Sequence, residues 1–348
     1  MGLIGGIGEE RMGRKAEESM KKARYRPPYT VSGRAMGMMA EIGAALERYR
    51  ILLEGADGVR LRKVNHVRTL RGTTAIEGNT LSEEQITAIL AGKRVAGSRR
   101  EIAEVEGAHR AYLEIEKFDP YSTGDLLTAH GLMTAGLVGR SGKWRNCNVG
   151  VVGANGAVYH MVPPWANVPR LMRELFAWLA ESGDPVLVKS CVFHYEFEFI
   201  HPFPDGNGRM GRLWQTALLG SWRREFYGVP VENIVWAHQA EYYAAIQEAT
   251  ARGDSGPFID FMLDKILSAL RTKGGEGEGG GKSVQKSRQK SDQKIADLMR
   301  ERPEITIAEL AEATGLSASG VKKNIRKLKD ANRIRRVGPD KGGHWEVA

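Results

Sequence analysis

Two apolar stretches, Val186–Ile200 and Leu213–Leu219, are separated by His201-Pro-Phe-Pro-Asp-Gly-Asn-Gly-Arg-Met-Gly-Arg212, and this interruption most restricts what the chain can fold into. Both stretches read as buried helices. The prolines and glycines between them rule out one continuous helix. A fold that buries both must carry a polar, glycine-rich turn at its centre, and the second helix must begin at that turn.

A helix N-terminus presents unpaired backbone N–H groups and the positive end of the helix dipole, so a glycine-rich turn entering a helix suits phosphate. Gly206 and Gly208 let the backbone approach a pyrophosphate without a Cβ in the way, and Asn207 can donate from its side-chain amide. Arg209 and Arg212 stand three residues apart on the following helix, on one face, as two phosphate clamps need to be. Asp205 is placed to hold Mg²⁺ between two phosphates, because Mg²⁺ takes hard oxygen ligands and few of them from protein. His201 can accept the proton of an attacking hydroxyl near neutral pH. Phe203 reads as the core anchor of the loop.

The string resembles the signature of Fic-domain proteins, His-Pro-Phe-x-[Asp/Glu]-Gly-Asn-Gly-Arg-x-x-Arg, at every specified position from His201 to Arg212. The likeness runs over roughly residues 35 to 270 and takes in His194, Gly142-x-Trp-Arg145 and the Tyr242-Tyr243 pair. It implies transfer of AMP from Mg-ATP to a Ser, Thr or Tyr hydroxyl of a protein, with pyrophosphate leaving. In that frame His201 is the base and Asp205 the Mg²⁺ ligand, while Gly206, Asn207, Gly208, Arg209 and Arg212 cradle the phosphates. Gly208 and Arg212 favour AMP over the groups that variant members transfer. Tyr242 and Tyr243 can wall the adenine, with core packing nearly as natural a place for them.

Upstream, Thr73-Thr-Ala-Ile-Glu77-Gly78 is similar to the family's inhibitory motif, [Ser/Thr]-x-x-x-Glu-[Gly/Asn]. A carboxylate at a helix end that reaches Arg212 forms a bidentate pair with the guanidinium meant for the terminal phosphate, and nucleotide then sits poorly aligned. The same residues also read as a plain helix end, with Gly78 in the left-handed position after it. In some relatives the equivalent glutamate also serves AMP removal, so the reverse reaction stays open for this chain.

Elsewhere apolar residues recur at helical spacing, with helices expected through Met39–Tyr49, Val59–Ile76, from Ser82 behind a capping box, through Ile102–Phe118, from Val168, and over Glu241–Leu270 with breaks at Gly253 and Gly256. Val149, Val151 and Val152, then Ala-Asn-Gly156, then Val158, Tyr159 and Met161 predict a β-hairpin. By resemblance this is a flap, with Val158, Tyr159, His160 and Met161 set to hold a target segment by strand addition. Residues 273–291 are Gly-, Ser-, Gln- and Lys-rich and read as a linker. Beyond it the order helix, helix, basic helix, strand, strand is similar to a winged helix-turn-helix. Lys322, Lys323, Arg326, Lys327 and Lys329 lie on its third helix, suited to DNA phosphates or to a protein partner.

The chain is therefore expected to be mainly α: a Fic-type helical bundle with a β-hairpin flap, plus a small C-terminal winged helix-turn-helix domain. The expected divisions are an extended arm at 1–34, an inhibitory helical region at 35–118, a catalytic core at 119–272, a linker at 273–291 and the winged helix at 292–348. The expected activity is protein adenylyl transfer, with ATP and Mg²⁺, self-modification and a homodimer as its accompaniments. Two alternatives stand beside it: a DNA-binding regulator whose site senses nucleotide, and a transferase of another nucleotidyl or phosphoryl group. Lys and Arg exceed Asp and Glu by 51 to 42, which suits an anionic partner. Two cysteines, Cys147 and Cys191, make no disulfide framework and suit the cytoplasm. No apolar run approaches the ~20 residues of a membrane span, and the opening Met1–Gly8 does not read as a signal peptide.

Overall fold

The computed structural model describes residues 25–149, 151–152, 158–160, 162–271, 295–314, 321, 324–326, 328–329, 333–337 and 344–347. They fall into two compact units divided between Gly275 and Glu276.

The first unit is a helical bundle. Its helices are α1 (Gly33–Glu54), α2 (Gly58–Ile76), α3 (Glu83–Leu90), α4 (Arg99–Leu113), α5 (Thr123–Thr134), α6 (Val168–Glu181), α7 (Val186–Ile200), α8 (Asn207–Trp222), α9 (Val231–Ala237), α10 (Gln239–Arg252) and α11 (Gly256–Arg271). An antiparallel pair, β1 (Val151–Val152) and β2 (Val158–His160), lies between α5 and α6 and pairs Val151 with His160. At the centre stands α7, buried from Leu187 to Phe197, with Phe193 and Phe197 wholly inaccessible. Being buried on nearly all sides, it is wrapped by its neighbours. Its chief neighbour is α8, which returns along it and buries Met210, Leu213, Trp214 and Leu218. The turn between them therefore lies where both helices are held most firmly.

Local chemistry sets the helix ends. Ser82 forms the expected capping box with Gln85, and Ser98 forms a second one with Glu101 that starts α4. The helix expected to reach Phe118 ends at Leu113 and gives way to a 3₁₀ turn over Ile115–Lys117. Two helices, α5 and α9, were not expected. In α5 the glycines and threonines of Thr-Gly-Asp-Leu-Leu-Thr-Ala-His-Gly-Leu-Met-Thr blur any apolar stripe, and burial of Leu126, Ala129 and Met133 supplies what local preference does not. In α9, seven residues are too few to show a period. Ahead of α1, residues 25–32 run without helix or strand along the bundle: Thr30 N–H donates to Asp254 Oδ1 at 2.9 Å and Ser255 N–H to the Pro28 carbonyl at 3.0 Å.

Helix α2 approaches α9 through Gly72, where a Cβ would stand 2.5 Å from both Asn233 N and Glu232 C. Alanine is the better helix former by about 0.5–1 kcal/mol. The overlap with backbone outweighs that, and Gly72→Ala is expected to destabilise the unit by ~1–3 kcal/mol. A lower urea midpoint at unchanged slope is the result to look for; an unchanged midpoint would mean that α2 slides away at no cost.

In the second unit, residues 295–301 and Ile307–Thr314 are helical, as are the described residues between 321 and 329. Strands β3 (Ile334–Val337) and β4 (His344–Val347) pair antiparallel with Ile334 opposite Val347. Ile295, Met299, Leu310, Val321, Ile325, Leu328, Ile334 and Trp345 make its core. Two cations lie over the Trp345 ring, Lys329 Nζ at 5.2 Å and Arg336 at 4.9 Å from its centre. Lys322, Lys323 and Lys327 lie outside the described residues. Among the described residues no helix is long and apolar enough to cross a membrane.

Candidate active site

The turn 201–206 has a left-handed residue at each end. Gly206, the N-cap of α8, has φ +83, and His201, which closes α7, has φ +51. His201 is the one non-glycine residue with positive φ among those described. Such a conformation is uncommon for a side chain with a Cβ and persists where the surroundings enforce it. The enforcing contacts are visible. Arg145 Nε donates to the His201 carbonyl at 2.8 Å, and His201 Nδ1 faces the Glu198 carbonyl at 3.4 Å. A proton on Nδ1 leaves Nε2 as the basic atom.

Phe203 is fully buried and stacks on His130, ring centres 3.6 Å apart and planes 2° from parallel. The Gly142 N–H donates to His130 Nδ1 at 2.8 Å, so Nε2 carries the proton and donates to the Asp205 carbonyl at 3.1 Å. Burial pushes the His130 pKa down to about 4, which keeps the ring neutral in this role. The expected core anchor is thus a stacked pair, half of which comes from the unexpected helix α5.

The Asn207 side chain is buried and turned into the loop: its Oδ1 accepts the Phe203 N–H at 2.8 Å and one Nδ2 hydrogen goes to the Phe203 carbonyl at 2.9 Å, so the amide braces the loop. The first turn of α8 also offers backbone, since the leading N–H groups of a helix have no intrahelical acceptor. Asp205 Oδ1 takes the Gly206 N–H at 2.6 Å and Arg209 Nη2 at 3.2 Å, while Oδ2 takes Arg100 Nη2 at 3.1 Å. Nothing in the sequence pointed to Arg100, which comes from α4.

Arg209 and Arg212 are each 2% exposed. Arg212 donates from Nε to the Thr73 hydroxyl at 3.2 Å, and from Nη2 to the Thr73 carbonyl at 3.0 Å and to Glu77 Oε1 at 2.6 Å. Glu77 therefore reaches the arginine as expected, but with one oxygen rather than two, because Thr73 occupies the other donors on that side. Burial, the largest single influence, would lower the Arg212 pKa; the charges of Glu77, Tyr242 and Glu198 and the hydrogen bond to Glu77 together outweigh it and raise it. Glu77 caps α2, and Gly78 follows at φ +95, so a helix end and an arginine ligand coexist in the same residues.

Three guanidinium nitrogens here, Arg209 Nε, Arg209 Nη1 and Arg212 Nη1, are buried without a hydrogen-bond partner. Buried cationic donors left unpaired are costly. One of them marks a specific spot: a Cβ on Gly208 would stand 3.1 Å from Arg212 Nη1 and 2.3 Å from Glu77 Oε1. The space above Gly208 is an anion seat at a helix N-terminus, and the Glu77 carboxylate is in it. Nearby, Glu198 on α7 has its Oε1 buried without a hydrogen-bond partner, 3.8 Å from His194 Nε2, and burial raises its pKa to about 8.

The tyrosines separate. Tyr242 is 2% exposed and packs in the core, 3.1 Å by its hydroxyl from His194 Nε2, so it is not a wall open to adenine. His194 Nδ1 is 2.8 Å from Gln215 Oε1, and burial lowers the His194 pKa to about 3, which makes it a neutral core residue. Tyr243 is 43% exposed and reaches the Ile76 carbonyl at 3.5 Å, beside the end of α2. The hairpin expected over 149–161 is present as β1 and β2, which include Val158, Tyr159 and His160; Met161 and the turn at 153–157 lie outside the described residues.

A helical bundle with an anion seat at the α7–α8 turn and a hairpin beside it is a class of fold with solved examples. The Fic/DOC family matches residues 120–219, and a winged helix-turn-helix DNA-binding family matches residues 288–335. A crystal structure of a Fic family protein from Desulfovibrio desulfuricans G20 is 39% identical, with a TM-score of 0.69 over 93% of this chain and 98% of that one. This chain belongs to the Fic family. It is 24% identical to a Fic-1 fragment from C. elegans at a TM-score of 0.58, a likeness of fold alone. Among curated proteins it is 39% identical over 99 residues to a probable protein adenylyltransferase of Aquifex aeolicus, spanning 27% of that protein. It is 32% identical over 223 residues to protein adenylyltransferase fic-1 of Caenorhabditis elegans, spanning 41% of that protein.

Proposed function

We propose that this chain transfers AMP from Mg-ATP to a protein hydroxyl and that Glu77 restrains it. The observation that carries the reading is the seat above Gly208, at a helix N-terminus, where the buried, unpaired Arg212 Nη1 lies and a carboxylate stands in for an anion, with further unpaired donors on the buried Arg209 of the same helix turn. Polyphosphate satisfies those donors better than one carboxylate oxygen does. Asp205 suits Mg²⁺: it is a lone carboxylate, 35% exposed, whose Oδ2 meets the exposed Arg100, and Mg²⁺ needs only one or two protein carboxylates beside phosphate oxygens and water. Bound there, Mg²⁺ supplies charge neutralisation for the phosphates.

The step itself falls to His201. Its imidazole takes the proton of a target Ser, Thr or Tyr hydroxyl; the oxygen bonds to the α-phosphorus of ATP, the bond from that phosphorus to the bridging oxygen breaks, and pyrophosphate leaves. Arg209, Arg212 and the backbone of α8 hold the phosphates, and a target strand pairs with the hairpin. Glu77 in the seat occupies the place beside Arg212 Nη2 that the terminal phosphate would take. The cytoplasm, with its ATP, is the matching compartment. Incubation with each α-labelled nucleotide, for the wild type and for His201→Ala, tests the reading; absence of His201-dependent label from every nucleotide would remove it.

The match of residues 288–335 to a DNA-binding family favours a second, separate activity, docking of the C-terminal unit on DNA. Replacing Lys322 and Lys323 by alanine is then expected to weaken binding to all sequences alike and to lower the salt slope by about 2. A slope that does not move would assign that unit to a protein partner.

A further inference from the structure

Arg145 is 2% exposed yet belongs to no helix or strand. Its guanidinium serves four backbone carbonyls. Nε donates to His201 at 2.8 Å, Nη1 to Cys147 at 3.1 Å, and Nη2 to Pro163 at 2.5 Å and to Ile200 at 3.4 Å. Its own N–H donates to the Pro202 carbonyl at 2.9 Å. These acceptors come from two places. Ile200, His201 and Pro202 are the end of α7 and the start of the α7–α8 turn; Cys147 precedes β1 and Pro163 follows β2. A cation at the C-terminal end of α7 is favoured by the helix dipole. A planar, rigid fork with five donors can hold such a set of acceptors; an ammonium on a flexible stem cannot.

We propose that Arg145 is a positioning residue that fixes the His201 loop and both feet of the β1–β2 hairpin in one frame, so that a strand added to the hairpin is presented to His201 at a set offset. The inference rests on the transferase reading. It accounts for the left-handed backbone of His201, whose own carbonyl is an Arg145 acceptor. It also separates two functions of the site. Phosphate binding belongs to the first turn of α8 with Arg209 and Arg212, none of which Arg145 contacts. Alignment of the hydroxyl with the base belongs to the frame, and a misplacement of about 1 Å there costs on the order of 10²-fold in rate.

The test uses full-length Glu77→Gly protein as the parent, ADP as the binding probe and self-modification by labelled ATP as the rate. Arg145→Lys is expected to lower kcat for self-modification by about 10- to 100-fold while KM for ATP and Kd for ADP stay within about twofold. Activity retained within twofold would overturn the inference. So would an ADP affinity that falls in step with activity, since that marks a merely structural residue. Amide exchange on the unsubstituted parent decides the matter even if the lysine variant does not fold. Without nucleotide, peptides covering residues 144–147, 162–167 and 200–206 are expected to share one level of protection, and a hairpin foot that opens independently of 200–206 would overturn the coupling. ADP with Mg²⁺ is expected to slow exchange at residues 206–212. No slowing at residues 206–212 is a different outcome: nucleotide does not bind there, and the transferase reading falls and takes this inference with it.

Discussion

Replacing His201 with alanine cuts incorporation of the labelled adenylyl group by about 10²- to 10⁴-fold while ADP still binds, the range expected when a positioned general base is lost. The two effects separate because different parts of the turn are responsible. His201 closes α7, whereas the phosphate seat proposed above lies at the other end of the turn, at the α8 N-terminus with Arg209 and Arg212. The Asn207 amide and the His130–Phe203 stack hold the loop between them, so removal of the imidazole leaves the seat standing. Calorimetry with ADP checks the second half of the expectation. An alanine variant that labels at the wild-type rate would show that His201 is not the base of the reaction.

Glu77→Gly acts in the opposite direction. The substitution removes an oxygen 2.6 Å from Arg212 Nη2 and clears the space above Gly208 without touching the guanidinium or its two Thr73 contacts. Hydrogen bonds to charged groups contribute about 1.5–3 kcal/mol. At about 1.4 kcal/mol per tenfold this corresponds to a rise in self-modification of about tenfold to a hundredfold. Because the Glu77 side chain is 34% exposed, water screens the pair and the lower part of that range is the better expectation. Thr73→Ala serves as the contrast, since it loosens Arg212 and leaves the competing carboxylate in place. Equal labelling of Glu77→Gly and wild type, with His201→Ala silent, would show that the carboxylate is no restraint.

The long helices were legible because each carries a period of apolar residues and a cap, as at Ser82, or a breaker, as at Gly253. The α7–α8 turn was legible because its chemistry is contiguous: base, carboxylate, glycines and arginines lie within twelve residues. The side-chain contacts that escaped share one cause. Thr73 and Arg212 are 139 positions apart, Arg100 and Asp205 are 105, and Arg145 and His201 are 56. No local pattern announces such contacts. The same limit hid the partners of two side chains. Asn207 and Tyr242 have groups that suit a nucleotide, but burial directs the one to Phe203 and the other to His194. Helix α5 escaped for a different reason: tertiary burial rather than intrinsic preference makes it a helix.

The account stands on a competition, with Glu77 and the ATP phosphates as rival anions for the space above Gly208 and His201 acting only when ATP wins. Intact-mass spectrometry of three purified proteins after incubation with Mg-ATP measures this most directly. The wild type is expected to gain little mass, Glu77→Gly to gain one or more AMP groups, and Glu77→Gly/His201→Ala to gain none. An AMP adduct on the double variant, or a phosphoryl rather than an adenylyl increment on Glu77→Gly, would contradict it.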